Sequence, residues 1–241
     1  MSAKTMDMTK GPLFTKILKL SVPMILTGIL QLLFSTADLI VIGQFAGSDS
    51  LAAVGATTSL NHLIINLVLG LSVGANVLMS QAIGAKNRDK AERTVHTSMT
   101  LALVSGAIFS VFGYFITRPA LVWMKTDAAV LDKATLYLEI IFLGTIANVV
   151  YNFGAAILRA KGDTTRPLIY LTIAGGLNVI LNILFVVVFK MDVEGVAIPT
   201  VASQLLSAVL VVIALIREKG ECKLSLKKLR FHGTEVKEIL G

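Results

Sequence analysis

Six long apolar runs follow one another along the chain, separated by short polar segments. Each run has the length that an α-helix needs to cross the hydrocarbon core of a bilayer. The predicted spans are residues 21–42, 60–83, 94–117, 134–158, 168–189 and 195–216. Residues 43–59 are predicted to form the loop between the first two spans. The pattern therefore indicates an all-α polytopic membrane protein, with a six-transmembrane-helix bundle at residues 21–216.

The two ends of the chain are polar or amphipathic. Residues 1–20 are predicted to form a cytoplasmic amphipathic N-terminus, because lysines alternate there with apolar side chains. No signal peptide is predicted, since a small-residue cleavage site is missing from this stretch. Residues 217–241 are basic and then amphipathic, and they are predicted to be a cytoplasmic linker.

Lysines and arginines are distributed unequally between the two sets of loops. Four lie in the N-terminus, four between the second and third spans, three between the fourth and fifth, and seven in the tail, against four in all remaining loops. The side richer in Lys and Arg is normally cytoplasmic. We therefore predict a multi-pass protein of the cell (plasma) membrane with both termini in the cytoplasm. The net charge of +7 comes from lysines and arginines at the ends of the apolar spans, where they set the topology. We therefore predict that membrane lipid is a partner and that nucleic acid is not.

Composition places the chain among membrane proteins and away from common enzyme classes. Charged residues make up 15% and hydrophobic residues 55% of the chain, whereas soluble domains have about 25% charged residues. A single cysteine, Cys222, excludes an intrachain disulfide framework and is predicted to be an inert thiol. The sequence has no nucleophile elbow, P-loop or dinucleotide fingerprint. We expect neither an enzyme nor an organic cofactor.

The first span carries a regular polar stripe that ends in an acid. Thr27, Gln31, Ser35 and Asp38 follow at spacings of four, four and three, which places them on one helical face. A carboxylate inside an apolar span is costly and indicates a functional site. One acid among neutral oxygen ligands suits a monovalent cation or a proton, and no ligand set resembles a zinc site. The alternative is that Asp38 is an interfacial residue near Gly43.

Further polar residues occur at helical spacing in the later spans. Asn148 and Asn152 form one i, i+4 pair, and Asn178 and Asn182 form another. In the sixth span, Thr200, Gln204 and Ser207 share a face. Intramembrane asparagines also hold helices together without further function, a contribution of about 0.6 kcal/mol. Both interpretations stay open for the asparagine pairs.

Two other patterns predict packing or surface positions. Gly70 and Gly74 form a GxxxG pair, which lets a neighbouring helix approach closely. His62, His96 and His232 lie at span ends or in the tail without the spacing of a metal site. All three histidines are predicted to be at the surface or the membrane interface.

Several stretches resemble the multidrug and toxic compound extrusion (MATE) family. They are SVPMILTGILQLLFSTADLIVIGQFAG in the first span, LGLSVGANVLMSQAIGAKNRDKA in the second, LRAKGDTTRP after the fourth, and LNVILN in the fifth. The resemblance covers nearly all of residues 10–241. It implies one lobe of a twelve-helix transporter, in which two six-helix lobes are related by a pseudo-twofold axis. It also implies export of organic, often cationic, compounds by antiport against Na⁺ or H⁺.

The resemblance also implies which residues bind the coupling ion. The family's acid in helix one falls on Asp38, its asparagine in helix five on Asn178, and its threonine in helix six on Thr200. The position one turn after Asn178 is an acid in some members and is Asn182 here, and we predict that Asn182 is the fourth residue of the ion site. From the polar faces of the spans we predict a substrate cavity that comprises Gln31, Ser35, Asn148, Asn152 and Gln204. No cofactor besides the coupling ion is implied.

A second six-helix lobe is the expected partner, and small-molecule drugs are the expected substrates. Residues 235–241 loosely echo the lead-in to the first span, which suggests that a second repeat follows and that this chain is a half-length fragment. One alternative is a flippase for lipid-linked precursors of the same superfamily, which would line its cavity with cations. Another is a non-transporting subunit that packs through its GxxxG pair and basic tail. An intramembrane enzyme is a more distant alternative.

Overall fold

A computed structural model describes residues 13–240 as helices joined by short turns. The helices are α1 Leu13–Phe45, α2 Ser48–Gly84, α3 Arg88–Trp123, α4 Ala128–Ala160, α5 Thr165–Asn182, a π-helix Ile183–Val188, α6 Glu194–Arg217, a single 3-10 turn Leu226–Lys228 and α7 Gly233–Leu240. Six of them are long and apolar enough to cross a membrane. The predicted all-α, six-helix bundle is confirmed.

Short turns with left-handed residues connect three pairs of successive helices. Lys86, Lys125 and Gly162 follow the ends of α2, α3 and α4 with φ of 54°, 57° and 86°, the backbone that reverses a chain at a helix C-terminus. Asn87 caps the N-terminus of α3 and Asp127 caps that of α4, since each side chain accepts a backbone N–H at 3.0 Å. The turns therefore set successive long helices side by side.

Helix α4 is the axis of the bundle and α1 lies at its edge. In the most apolar window of α4, 78% of the residues are buried, against 11% for α1. Leu138 and Phe153 of α4 are fully buried, in two separate apolar clusters. Helix α4 packs mainly against α3, α6 and α2, whereas α1 packs mainly against α5. Displacing α1 therefore breaks fewer contacts than displacing any other long helix.

Helix α5 widens into a π-helix immediately after Asn182. Across this segment the N–H of Phe189 bonds the carbonyl of Leu184, five residues earlier, at 3.1 Å. Short π segments are rare and often lie at functional sites. Here the change from α-helix to π-helix comes directly after Asn182, the second asparagine of the Asn178–Asn182 pair.

The predicted loop at residues 43–59 is wrong, because α2 is helical from Ser48 onward. Asp49 lies in the first turn, where a negative charge complements the helix dipole. Ala53 and Val54 are buried in the same apolar cluster as Ile42. The segment's polar composition resembled that of a loop, but tertiary packing makes it helical.

The boundary predicted at residue 20 does not correspond to a break in the structure. Helix α1 begins at Leu13 and continues into the first predicted span. Residues 1–12 of the predicted amphipathic N-terminus, and Gly241 of the predicted linker, lie outside the described residues.

Residues 217–240 of the predicted C-terminal linker pack against the bundle. Cys222 and Leu224 are buried, and so is Ile239 of α7. Burial raises the pKa of the Cys222 thiol to about 11, which keeps it protonated. The backbone of Ile239 packs directly on Gly74, where a Cβ would overlap its carbonyl, whereas nothing lies within 4 Å of a Cβ built on Gly70. The close approach predicted from the glycine pair is thus made by α7 at Gly74 alone.

His96 is buried, contrary to the surface position predicted for it. Its side chain is 2% exposed. Nδ1 bonds the Glu92 carbonyl at 2.7 Å, and Nε2 accepts the backbone N–H of Ser225 at 3.1 Å. A neutral imidazole with its proton on Nδ1 satisfies both contacts. His96 therefore ties the C-terminal tail to α3.

His232 makes a second contact of the same kind. Its Nδ1 lies 2.8 Å from the Thr97 hydroxyl, and its Nε2 accepts the Arg230 Nε–H at 3.0 Å. Burial, together with the positive charges of Arg230 and Arg93, holds the pKa of His232 below its usual value, although Glu235 opposes them. The docked tail therefore favours the neutral form of this histidine.

Leucine at Gly74 is expected to displace α7. Because the Ile239 backbone occupies the space that a side chain would need, Gly74→Leu should accelerate amide hydrogen exchange across residues 233–240 by about tenfold or more. Gly70→Leu is the matched control, since its side chain meets open space. Unchanged exchange in Gly74→Leu would show that α7 does not dock there.

Acid is expected to loosen the tail. A histidine whose folded-state pKa is lowered contributes stability that is present above its unfolded pKa of about 6.5 and is lost as pH falls through the folded value. Hydrogen exchange over residues 225–232, corrected for intrinsic rates, should therefore rise between pH 7 and pH 5. His232→Gln should weaken this response, whereas His62→Gln should retain it. An identical response in both variants would contradict the assignment.

Candidate functional site

A chain of hydrogen bonds joins α1, α5 and α6 around Asp38. The Asn182 Nδ2 donates to the Asp38 carboxylate at 2.5 Å and lies 3.2 Å from the Asn178 Oδ1. The Asn178 Nδ2 in turn donates to the Thr200 hydroxyl at 3.2 Å, and that hydroxyl donates to the Val196 carbonyl at 2.9 Å. The four residues predicted as an ion site are therefore one connected group.

The group is buried and has unused acceptor capacity. Asn182 and Asn178 are 0% and 5% exposed. Within the described part of the chain, the Asn182 Oδ1 is buried without a hydrogen-bond partner. A carboxylate, a free amide oxygen and a hydroxyl are the hard oxygen donors that suit a small cation, and the carboxylate also suits a proton. The donor set fits Na⁺ or a proton.

A glycine lets α1 approach α5 closely enough to form this group. The Phe34 ring of α1 packs directly on Gly175, and a Cβ there would overlap the ring. Asp38 lies one helical turn beyond Phe34, and Asn178 and Asn182 lie one and two turns beyond Gly175. The close packing of Phe34 on Gly175 therefore sets the spacing between the carboxylate and the asparagine pair.

A cavity of about 330 Å³ opens beside the hydrogen-bonded group. Side chains of five helices line it, from α1, α2, α4, α5 and α6. All five residues predicted for the substrate cavity are among them: Gln31, Ser35, Asn148, Asn152 and Gln204. Asp38, Asn178 and Thr200 also lie on its wall. Asn182 is outside this lining and reaches the cavity through its bonds to Asp38 and Asn178.

Sequence reasoning missed several wall residues. His62 of α2 is exposed but lines the cavity, together with Tyr151 and Ser203. The Tyr151 hydroxyl donates to the Pro167 carbonyl at 3.0 Å, which ties α4 to α5. Ser207, which was predicted to share a face with Thr200 and Gln204, also lines the cavity. Ser203 lies between Thr200 and Ser207 at helical spacing, and this spacing was the available signal.

The charge of the cavity wall is negative and its surface is mostly apolar. Asp38 is its only acid, and no Lys or Arg occurs among the described residues that line it. Leu32, Ile65 and Leu69 contribute apolar surface. A wall with aliphatic groups, amides and one carboxylate is suited to an organic compound with a positive charge.

Comparisons with known proteins agree with this architecture. The MatE family model matches residues 23–184. The chain is 29% identical over 201 residues to a Bacillus subtilis (strain 168) protein named "Probable multidrug resistance protein YpnP", covering 83% of this chain and 45% of that protein. The chain spans about half the length of the curated relatives it matches.

Solved structures give the same result at the level of the fold. One is an outward-facing multidrug resistance MATE family transporter, with a TM-score of 0.90 at 26% identity over 100% of this chain and 53% of that chain. Another is a MOP superfamily transporter from Pyrococcus furiosus, whose binding pocket is described as reversed in polarity. It matches with a TM-score of 0.91 at 26% identity, over 100% of this chain and 53% of that chain. With more than half of its residues matched by the family model, this six-helix chain belongs to the MatE family of multi-pass membrane transporters.

Proposed function

We propose that the chain forms one lobe of a secondary active multidrug exporter. Organic, often cationic, compounds leave the cell as Na⁺ or H⁺ enters through the site at Asp38. The observation that carries the proposal is the position of Asp38, which faces the cavity and also bonds the buried Asn182. The same proposal places both termini in the cytoplasm and the lobe in the plasma membrane.

Coupling follows from competition for one negative charge. The cavity wall has a single acid in the described chain, so a bound cation or proton removes the charge that attracts a cationic drug. The ion also changes the contact between α1 and α5, because Asp38 belongs to one helix and Asn182 to the other. Ion and drug therefore favour different positions of α1.

Helix α1 is suited to move in this step. Pro23 lies inside it, and the Thr27 hydroxyl bonds the Pro23 carbonyl at 2.8 Å. Proline removes one backbone hydrogen bond of a helix, so a bend there costs less than elsewhere. Gly28, one turn later, has nothing within 4 Å of a Cβ position. Bending between these residues would narrow the cavity and release the drug outward.

Alternating access requires a second body to move against the first. We therefore propose a second six-helix lobe as the partner, and no cofactor besides the coupling ion. A lipid-linked precursor flippase is less well supported, because the described cavity wall offers no Lys or Arg to a phosphate. A non-transporting subunit is also less well supported, because α7 of the same chain already packs on Gly74.

Ion binding to the purified chain tests the proposal. We expect Asp38→Asn to lower ²²Na⁺ binding, or drug-induced proton release, by about tenfold or more, because a charged ligand contributes about 1.5–3 kcal/mol. Asp49→Asn is the matched control, since Asp49 is an exposed acid outside the cavity wall. Equal binding by Asp38→Asn and the unmodified chain would contradict the proposed site.

A further inference from the structure

A second cavity, of about 400 Å³, lies at the end of the bundle where α3 begins. One wall is the first turns of α3, and the other is the tail segment of residues 227–232. Helix α3 has 36 residues and is therefore about 54 Å long, longer than the hydrocarbon core of about 30 Å. The helix therefore extends beyond the hydrocarbon core, and its charged first turns precede the apolar span predicted at residues 94–117.

The cavity carries an excess of positive charge. Its basic side chains are Arg93, Lys227, Lys228 and Arg230, and its acids are Asp89 and Glu92. The N-terminus of α3 adds the partial positive charge of a helix dipole. The field in this cavity therefore favours an anion.

Two of the four cations are not neutralised within the described chain. Lys228 pairs with Glu92 at 2.7 Å, and Arg93 pairs with Glu235 at 2.9 Å. Across residues 13–240, no carboxylate lies within ion-pair distance of Lys227 or Arg230.

The geometry of Arg230 leaves a fork for an anion. Its Nε–H donates to the neutral imidazole of His232 at 3.0 Å. That contact uses one donor of five, so the terminal guanidinium N–H groups stay available. A phosphate oxygen pair matches such a fork.

Exposed apolar side chains flank the basic ones. Leu226 is 59% exposed and Phe231 is 50% exposed, whereas Leu229 between them is half-buried. Basic side chains that alternate with exposed large apolar ones are typical of segments that lie in the membrane interface. A free inorganic anion would gain nothing from Leu226 and Phe231, whereas a phospholipid presents both a phosphate and acyl chains.

We propose that this cavity binds the phosphate of an anionic phospholipid, between Arg230 and Lys227 on the tail and Arg93 on α3. Leu226 and Phe231 contact the upper part of its acyl chains. The lipid thereby holds the tail against α3, beside the contacts made by His96 and His232. The inference is independent of the transport proposal, since no residue of the Asp38 site takes part.

Lipid retention by the full chain tests this site. The chain is purified in detergent, offered phosphatidylglycerol or phosphatidylcholine with the same acyl chains, and analysed by native mass spectrometry. We expect phosphatidylglycerol to bind more tightly, and Lys227→Gln with Arg230→Gln to lower its affinity about 10- to 30-fold, at about 1 kcal/mol per basic residue. Lys219→Gln with Lys223→Gln removes the same charge from the same tail outside the cavity, and should change the affinity less than twofold.

Four further results would each contradict the proposal. Equal affinity for the two lipids, or equal losses in the two double variants, would overturn it. Displacement of the lipid by millimolar inorganic phosphate would assign the cavity to a free anion and also overturn it. If the cavity variant fails to fold, a salt titration of the unmodified chain replaces it. Phosphatidylglycerol binding must then weaken as salt rises, and salt-independent binding contradicts the proposal.

Discussion

Asparagine at Asp38 is expected to lower cation-coupled drug efflux about 100-fold, in cells that make the chain together with a second six-helix lobe. The substitution removes the only acid of the cavity wall in the described chain while preserving size and a hydrogen bond to Asn182. Loss of a charged ligand worth about 3 kcal/mol corresponds to that factor. Efflux of a fluorescent cation from loaded cells, driven by an imposed Na⁺ or H⁺ gradient, measures the effect.

The design separates loss of coupling from loss of protein. The amount of Asp38→Asn in the membrane should equal that of the unmodified chain, because burying a neutral amide costs less than burying a carboxylate. Asp49→Asn should transport normally. Retention of full efflux by Asp38→Asn would eliminate the proposed mechanism, and the six-helix fold would be unaffected by that result.

The substitution Gly175→Leu is expected to disrupt the same site although it changes none of the polar residues that form it. The Phe34 ring occupies the space that the new side chain needs, so α1 must move away from α5 and the Asp38–Asn182 contact must lengthen. Overpacking of this kind costs about 1–3 kcal/mol. Gly175→Leu should therefore bind ²²Na⁺ at least about tenfold more weakly and unfold at a lower temperature.

Neighbouring positions supply the controls for this prediction. Gly176→Leu places the same side chain one residue later, where nothing lies within 4 Å, and it should leave ion binding intact. Phe34→Ala combined with Gly175→Leu should restore part of the binding, because the smaller residue makes room for the leucine. If Gly175→Leu binds normally, the packing of α1 on α5 does not set the geometry of the site.

The polar face that α1 contributes to the candidate site was predictable from spacing. Gln31, Ser35 and Asp38 share a helical face, and that face can only be satisfied by other helices when the surroundings are lipid. Asn178 and Asn182 also share a face, but spacing left open whether they bind an ion or only hold helices together, and the family resemblance assigned Asn178 to the ion site. In the structure Asn182 donates both to Asp38 and to Asn178. Lipid cannot form hydrogen bonds with polar side chains, so regularly spaced polar residues within a span identify the face of the helix that packs against other helices.

The tail and the beginning of α2 were not predictable in this way. His96 lies in a polar stretch at the start of α3, and its burial depends on a backbone N–H 129 residues later. Helix α7 has only eight residues, too few to form a stable isolated helix, so its docking on Gly74 is a tertiary contact without a local signal. Ser48 and Asp49 resemble loop residues until the packing of Val54 is known.

The unbroken course of α2 from Ser48 has a mechanical consequence. Its 37 residues measure about 55 Å, and a bilayer's apolar layer covers about 30 Å of that length. The first turns of α2, including Asp49, therefore extend beyond the apolar layer as ordered helix, on the side opposite the basic tail. Outside the apolar layer, this part of the chain is therefore a regular helix and not a flexible loop. Antibodies or proteases directed at this region should therefore meet an ordered surface.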